Sequence, residues 1–225
     1  MTSVITDSAK KACVFCNGPL DNPARVKTIA RDCGLLIAAD GGARHLLDIG
    51  LAPQVIIGDM DSIGSDLWKD NDAIQRIQYP ADKDKSDAEI GVEHALEHGY
   101  EQVILVAATG GRLDHTVANI ALAAAYPGQI VILDGTSSLV ALDKGKRCIL
   151  RGTIGTVVSL IPHTSDRLTV RTNGLKYALQ DECLSGATHG LSNELSQTHA
   201  CICASGGILL VYIESQEYIS SSESE

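Results

Sequence analysis

The sequence predicts an α/β domain with a parallel, Rossmann-like sheet, followed by a small antiparallel β-sandwich. Three observations predict it. Short continuous apolar runs alternate with helical periods through the first 136 residues, which is the pattern of βαβ units whose sheet is covered on both faces. Beyond residue 136 the helical period vanishes, and short, partly alternating runs are punctuated by turn residues, as in a sandwich. The length of 225 residues, with 44% hydrophobic and 20% charged side chains, suits one large domain or two small ones with real cores.

In the first half, strands are expected at residues 12–16, 35–39, 55–57, 74–79, 103–107 and 130–133. Helices are expected over 44–49, where Leu46, Leu47 and Ile49 recur, and over 86–98, which places Ile90, Val92, Ala95 and Leu96 on one side. The Ala-rich stretch 115–125 is a third helix, and Ser86 with Glu89 forms a capping box for the second. In the second half, strands are expected at 139–142, 147–150, 156–161, 168–172, 175–179, 200–203 and 208–213, seven or eight in all. Asp143-Lys144-Gly145-Lys146, Arg151-Gly152, Asn173-Gly174 and Gly206-Gly207 supply the turns between them. The expected partition is a flexible N-terminus (1–10), an α/β domain (11–136), a β-sandwich (137–213) and a disordered Ser/Glu tail (214–225).

Composition excludes several function classes. There are 28 acidic and 18 basic side chains, a net charge of −10, and only 4% aromatics. Such a chain lacks both the basic footprint and the stacking surface for nucleic acid. No apolar run approaches the roughly 20 residues of a membrane span, and the start shows no signal-peptide pattern. Seven cysteines, an odd count at low density, fit reduced thiols in a cytoplasmic protein. Cys13-x-x-Cys16 could be half of a zinc site or a redox pair, and Cys201-x-Cys203 the other half of a zinc site, but all four are expected on buried strands. Residues three apart on a strand face opposite sides, so Cys13 and Cys16 are not expected to converge. His94 and His98 have i, i+4 spacing without the Glu of a zincin motif, and an exposed helix face is expected there.

The chemistry concentrates where strands end. Asp40-Gly41-Gly42 follows the second expected strand, and Gly58-Asp59-Met60-Asp61-Ser62 the third. Asp82-Lys83-Asp84-Lys85-Ser86-Asp87 follows the fourth, and Thr109-Gly110-Gly111-Arg112-Leu113-Asp114-His115 the fifth. Each cluster alone could be caps and turns. In a parallel sheet, however, all four share the edge at which ligands bind. Carboxylates hold phosphates only through a cation. Asp59 and Asp61 can face one Mg²⁺, with Asp84 and Asp87 completing an oxygen shell. Gly110 and Gly111 let backbone N–H groups approach phosphate oxygens at a helix N-terminus. Arg112 can clamp a phosphoryl oxygen, and Lys83 or Lys85 can add a point charge. No P-loop or kinase signature is present.

In order and spacing these four clusters resemble the motifs of the thiamine pyrophosphokinase family. Gly174-Leu175-Lys176-Tyr177 and Gly186-Ala187-Thr188-His189-Gly190-Leu191-Ser192-Asn193-Glu194 resemble that family's thiamine-binding β-domain. The likeness runs from about residue 12 to 213 and is of the bacterial type. It implies transfer of the pyrophosphoryl group of ATP to thiamine, giving thiamine diphosphate and AMP, with Mg²⁺, by attack of the thiamine hydroxyl on the β-phosphorus. It also implies a cytoplasmic homodimer whose sites lie between the α/β domain of one subunit and the β-domain of the other. Asp59, Asp61 and Asp87 would bind metal or orient the thiamine hydroxyl, with Asp84 and Lys83 beside them; one of these carboxylates accepts the proton. Asp40, Gly41, Gly42, Thr109, Gly110, Gly111, Arg112, Asp114 and His115 would hold ATP, and Ser192 and Asn193 would contact thiamine. Ser86 stands where the family usually has Thr. The only Trp, Trp68, is in the α/β half, so a ring stack from the β-domain falls to Tyr177 or Tyr212. Rival readings are a diphosphokinase for another alcohol such as a hydroxymethyl pterin, a metal-dependent phosphatase or glycosyltransferase, and a non-catalytic nucleotide or thiamine sensor.

Overall fold

The computed structural model describes residues 10–59, 71–80, 82–163, 168–184, 188–214 and 220–222. They divide into two compact units, the first running to residue 122 and taking in 132–135, the second comprising 123–131 and the chain from 136 onward.

The first unit is built on buried apolar strands. They are β1 (Lys11–Phe15), β2 (Leu35–Ala39), β3 (Val55–Gly58), β4 (Gln75–Gln78), β5 (Gln102–Val106) and, from residue 132, β6 (Ile130–Asp134). The order is β6-β5-β1-β2-β3-β4, and the pairings of β1 with β2 and β5, β2 with β3, and β3 with β4 are all parallel. From β1 the chain steps outward through β2 to β4, then returns to place β5 on the other side of β1. That reversal puts a crevice outside the carboxyl ends of β1 and β5, where open α/β sheets bind ligands.

Four helices cross over: α1 (Pro23–Arg31), α2 (Gly42–Asp48), α3 (Asp87–Glu97) and α4 (Leu113–Ala125). The sequence reading had no helix at α1. Its signals are the Asn22 side chain, which accepts from Arg25 N at 3.3 Å, Pro23 at the first turn, and Val26, Ile29 and Ala30 buried on one face. On α3, a Cβ on Gly91 would come within 3.1 Å of Val14 Cγ1, so this helix packs close on β1. Among the described residues no helix is long and apolar enough to cross a membrane.

The second unit has two antiparallel sheets. One runs β12 (Asn193–Glu194), β9 (Val157–Pro162), β14 (Leu209–Glu214), β7 (Ser137–Leu142). The other runs β11 (Gln180–Cys183), β10 (Thr169–Asn173), β13 (His199–Ser205), β8 (Arg147–Arg151), β15 (Ser220–Ser222). The α/β-plus-sandwich class is therefore as expected, with nine described strands in this half rather than seven or eight. Three details differ from the reading. Residues 175–179 are not a strand: Leu175 only bridges Leu195. Tyr177 N donates to Asn193 Oδ1 at 3.0 Å, and Asn193 Nδ2 donates to Tyr177 O at 2.8 Å, so a side chain occupies the groups a ladder would use. Strand β11 was not foreseen because its four residues are all exposed and carry no apolar period. Ser220–Ser222, inside the stretch read as disordered, pairs with β8.

Candidate functional site

The site begins where β1 and β5 end side by side. Their ladder continues past both strands, with Cys16 N donating to Val106 O at 2.8 Å and Gly18 N to Ala107 O at 2.9 Å. Asn17 and Gly18 are thereby held against Ala107–Thr109. A Cβ on Gly18 would lie 2.5 Å from Ala107 O and 2.7 Å from Thr109 O. Two further bonds fix this corner: buried Asn119 Nδ2 donates to Ala108 O at 2.8 Å, and the His45 ring Nε2–H donates to Gly18 O at 2.7 Å. A cleft of about 250 Å³ opens here, walled in part by Asp40, Asp87, Thr109, Gly111, Arg112 and His115.

The loop after β2 is clamped over the same edge. Asp40 has φ 49° and donates its N–H to Ile57 O at 2.7 Å. A Cβ on Gly42 would lie 1.9 Å from Phe15 O, so only glycine lets α2 start this close to β1. Asp40 is half-buried, and burial pushes its carboxyl above the usual range. A bond from the Gly41 N–H opposes this, repulsion from Asp59 and Asp87 adds to it, and Lys83 counters. Asp40, Asp59, Asp87 and Lys83 thus share one electrostatic neighbourhood, reached from three different loops.

Asp87 opens α3, immediately after Ser86, whose Oγ accepts from Glu89 N at 3.2 Å. Its Oδ1 accepts from Lys83 Nζ at 2.6 Å, and the ammonium lies 5.6 Å from the Tyr79 ring. Lys85 grips Glu93, at 2.5 and 2.7 Å, while Lys83 is the lysine that pairs with Asp87 and acts on Asp40. Asp84 is exposed and does not wall the cleft. At the far wall, exposed Arg112 grips exposed Asp114 in a fork, Nε–Oδ1 at 3.1 Å and Nη2–Oδ2 at 2.6 Å. That grip, with a bond from the His115 N–H, holds the Asp114 carboxyl down at about 2. Gly41, Gly42 and Gly110 serve packing rather than the cleft wall; a Cβ on Gly110, at φ 76°, would strike Pro19 Cγ at 2.8 Å. Asp61 and Trp68 lie outside the described residues. Among the described residues no three His, Cys, Asp or Glu side chains converge as a metal cluster.

Asn17, Gly18, His45 and Asn119 are not singled out by the sequence, and Cys16 stands out there only as a partner of Cys13, not as part of this cleft. The Asn17-Gly18-Pro19 turn directly after a strand was the readable signal.

In the second unit Ser192 has φ 56° and donates its N–H to Ser159 Oγ at 3.1 Å. Asn193 is buried, and its amide is committed to Tyr177 on both sides and to Glu194 N at 2.9 Å. The Tyr177 ring is 60% exposed beside Lys176 Nζ, 5.5 Å from its centre. Tyr212 is half-buried and donates to Ser137 Oγ at 3.2 Å. Tyr177 is therefore the open ring of the two.

Residues 26–133 match the family model for the thiamin pyrophosphokinase catalytic domain, and residues 146–209 match that for the thiamin pyrophosphokinase vitamin B1 binding domain. A thiamine pyrophosphokinase of Bacillus subtilis (strain 168) is 30% identical over 185 residues, 79% of this chain and 86% of that one. The chain belongs to the thiamine pyrophosphokinase family. Thiamine pyrophosphokinase 1 of Oryza sativa subsp. japonica is 28% identical over 178 residues, 67% of each chain. Among solved structures, a thiamine pyrophosphokinase from Bacillus subtilis superposes with a TM-score of 0.81 at 26% identity, covering 92% of this chain and 99% of that one. A thiamin pyrophosphokinase from Geobacillus thermodenitrificans gives 0.78 at 28%, covering 91% and 97%. The B1-binding match lies wholly within the second unit, which carries the Tyr177–Asn193 loops. Most of the catalytic-domain match lies within the first unit, which carries the carboxylate cleft.

Proposed function

We propose that this chain carries out its family's reaction at the cleft beside β1 and β5, with the thiamine hydroxyl attacking the β-phosphorus of ATP. The reaction itself, transfer of the pyrophosphoryl group of ATP to thiamine to give thiamine diphosphate and AMP, is the function of the chain. The observation that carries the placement is the shared neighbourhood of Asp40, Asp59, Asp87 and Lys83 at the strand ends that flank the cleft.

The donor set fits Mg²⁺, since it consists of carboxylate oxygens that already repel one another. Asp59 and Asp87, with Asp61 from the same motif, would hold the ion. When bound, it supplies the positive charge that draws the phosphates of ATP to an acidic cluster. Arg112 presents a guanidinium to a phosphoryl oxygen, and Asp114 orients it. Asp40, Thr109, Gly111 and His115 line the nucleotide pocket, while Gly41, Gly42 and Gly110 set the close-packed loops that carry them. Lys83 supplies a cation beside Asp87. One of the carboxylates of the cluster, or Asp84, takes the proton of the thiamine hydroxyl; a loose phosphoryl transition state asks for little deprotonation.

Ser192 is assigned to thiamine, and Asn193 contributes by holding the Tyr177 loop, which supplies an open ring. A homodimer in which both copies contribute to each site belongs to the same proposal. Leu113 and Val117, one turn apart on α4 and 77% and 58% exposed, support it as an apolar face that a second copy would cover. Seven cysteines, all free thiols, support a reducing, cytoplasmic setting.

The test is incubation of the purified chain with ATP, Mg²⁺ and thiamine, followed by ³¹P NMR. AMP with thiamine diphosphate and no ADP is expected. ADP with thiamine monophosphate would overturn attack at the β-phosphorus. Thiamine binding without turnover would overturn the enzyme in favour of a sensor.

A further inference from the structure

The cysteine pair of β13 has no part in the reaction above. Strand β13 alternates strictly: Ala200, Ile202 and Ala204 are buried, while Cys201 and Cys203 lie half-exposed on the opposite face. Residues two apart on a strand share a face, so these two thiols are neighbours on it.

We propose that Cys201 and Cys203 form a dithiol site on the outer face of β13 that takes one two-coordinate, thiophilic d¹⁰ cation of the Cu(I) class. Three observations carry it. First, the pair is poorly placed for a disulfide. Cα atoms two residues apart on an extended strand are about 6.8 Å apart, at the far limit for an S–S bond, and both cysteines are free. A bridging ion needs no such approach of the strand to itself. Second, the neighbouring strands put cations around the thiols. Cys203 stands opposite Arg171 on β10 and Arg147 on β8, and Arg147 also acts on Cys201. Two thiolates with one monovalent ion carry a net negative charge, which the Arg147 guanidinium complements, whereas that of Arg171 is already held in a fork by Asp181. Third, the donor count is two. His199 follows the same face but is exposed, and among the described residues no three His, Cys, Asp or Glu side chains converge. A tetrahedral zinc site would need four donors, whereas soft thiolates at low coordination number select Cu(I). On binding, each thiol releases its proton to water and donates a sulfur lone pair to the ion, with no change of oxidation state.

The experiment is anaerobic titration of the reduced, full-length chain with Cu(I) against a chromophoric Cu(I) chelator, with native mass spectrometry to count bound ions. One tightly held equivalent is expected in the parent. Cys201→Ser and Cys203→Ser should each weaken it by more than the roughly 10–100-fold that loss of a mere supporting partner costs. Cys183→Ser, which removes an exposed cysteine on β11, should leave it unchanged. Equal binding by the parent and the Cys201→Ser variant would overturn the proposal, as would loss in the Cys183→Ser variant. A second readout needs no variant: bound Cu(I) should protect Cys201 and Cys203, but not Cys183, from iodoacetamide in peptide mapping. Equal labelling with and without Cu(I) would overturn the proposal whatever the variants do.

Discussion

Replacing Asp87 by Asn keeps the shape of the side chain and removes its charge. Asp87 opens α3, directly after the capping Ser86, where a negative charge is worth about 0.3–1 kcal/mol against the helix dipole. It also pairs with Lys83 at 2.6 Å, the two side chains being 16% and 25% exposed. An exposed pair is worth about 0–1 kcal/mol, while breaking a fully buried one costs about 3–5 kcal/mol. This intermediate pair, which leaves an ammonium partly covered, belongs near the lower figure. An opposing gain comes from relieving the repulsion that Asp87 exerts on Asp40. The net loss should be about 1–2 kcal/mol, or roughly 2–8 °C in melting temperature for a chain of this length. Turnover should fall far more, by about 10²–10³-fold, the usual loss on removing one preorganised group from a charge-stabilising site. Thermal unfolding and steady-state AMP release on the same preparation measure both quantities. The disproportion between them is the test. A variant that melts a few degrees lower yet turns over within tenfold of the parent would reduce Asp87 to a helix-opening charge and refute its place in the chemistry.

Three other substitutions have expected outcomes. Burial, reinforced by repulsion from Asp59 and Asp87, holds the Asp40 carboxyl above its ordinary value. The folded chain then keeps that proton to a higher pH than the unfolded chain, so the penalty is full at neutral pH and vanishes as pH falls below about 3.8. Asp40→Asn should accordingly be more stable than the parent at pH 7 in urea unfolding, with the gain shrinking toward pH 4; a less stable variant at pH 7 would contradict the sign. Arg112→Ala removes the main cause holding Asp114 at about 2, so carboxyl ¹³C NMR should show Asp114 titrating at higher pH. An unmoved titration would assign the depression to the His115 N–H instead. Burial and the adjacent His98 ring, 4.1 Å away, lower the His94 pKa from 6.5. The unfolded chain therefore takes up its proton first, and stability falls as pH drops below 6.5. His94→Gln should flatten that acid-side decline in denaturant midpoints, and an unchanged slope would clear His94 of it.

The class of fold was legible because buried parallel strands read as unbroken apolar runs, as in residues 35–39, all five buried. Helix α1 is missed although Asn22, Pro23 and the Val26–Ile29–Ala30 spacing signal it, because Arg25, Lys27 and Arg31 interrupt the apolar run along the chain while standing off the buried face. Strands β11 and β12 were not legible, since neither carries a period and each exists through its partner's pairing. Residues 175–179 look like a strand, and the Asn193 side chain that prevents it lies some sixteen positions away. At the site, the strand-end carboxylates could be read because a parallel sheet gathers its carboxyl ends on one edge. Which lysine joins them could not. Lys83 and Lys85 differ only in where each stands relative to the start of α3, one falling four residues before Asp87 and the other reaching forward to Glu93. The role of Asn17-Gly18 depended on β5 returning to the other side of β1, a feature of strand order that local sequence does not carry.

The cleft is held in a conformation its own residues disfavour. Asp40 and Ala107, each just beyond a strand end, have φ of 49° and 52°, a region that costs a residue with a side chain about 1–3 kcal/mol. Asp40 is also half-buried and repelled by two other carboxylates. Such strain persists only where the surroundings over-determine it. Here the means are visible: the β1–β5 ladder running on to Gly18, the Asn119 and His45 bonds to that corner, and glycines at 18 and 42 that let backbone meet backbone. All of them fix the loops without touching the Asp40 carboxyl. The Gly41 N–H and Lys83 offset only part of the burial and repulsion around that carboxyl, which still sits above its ordinary value, so a cation bound by the cluster would relieve it further. That is why Asp40→Asn is expected to gain stability in the free chain, and why the same carboxylates are expected to favour a ligand that brings positive charge.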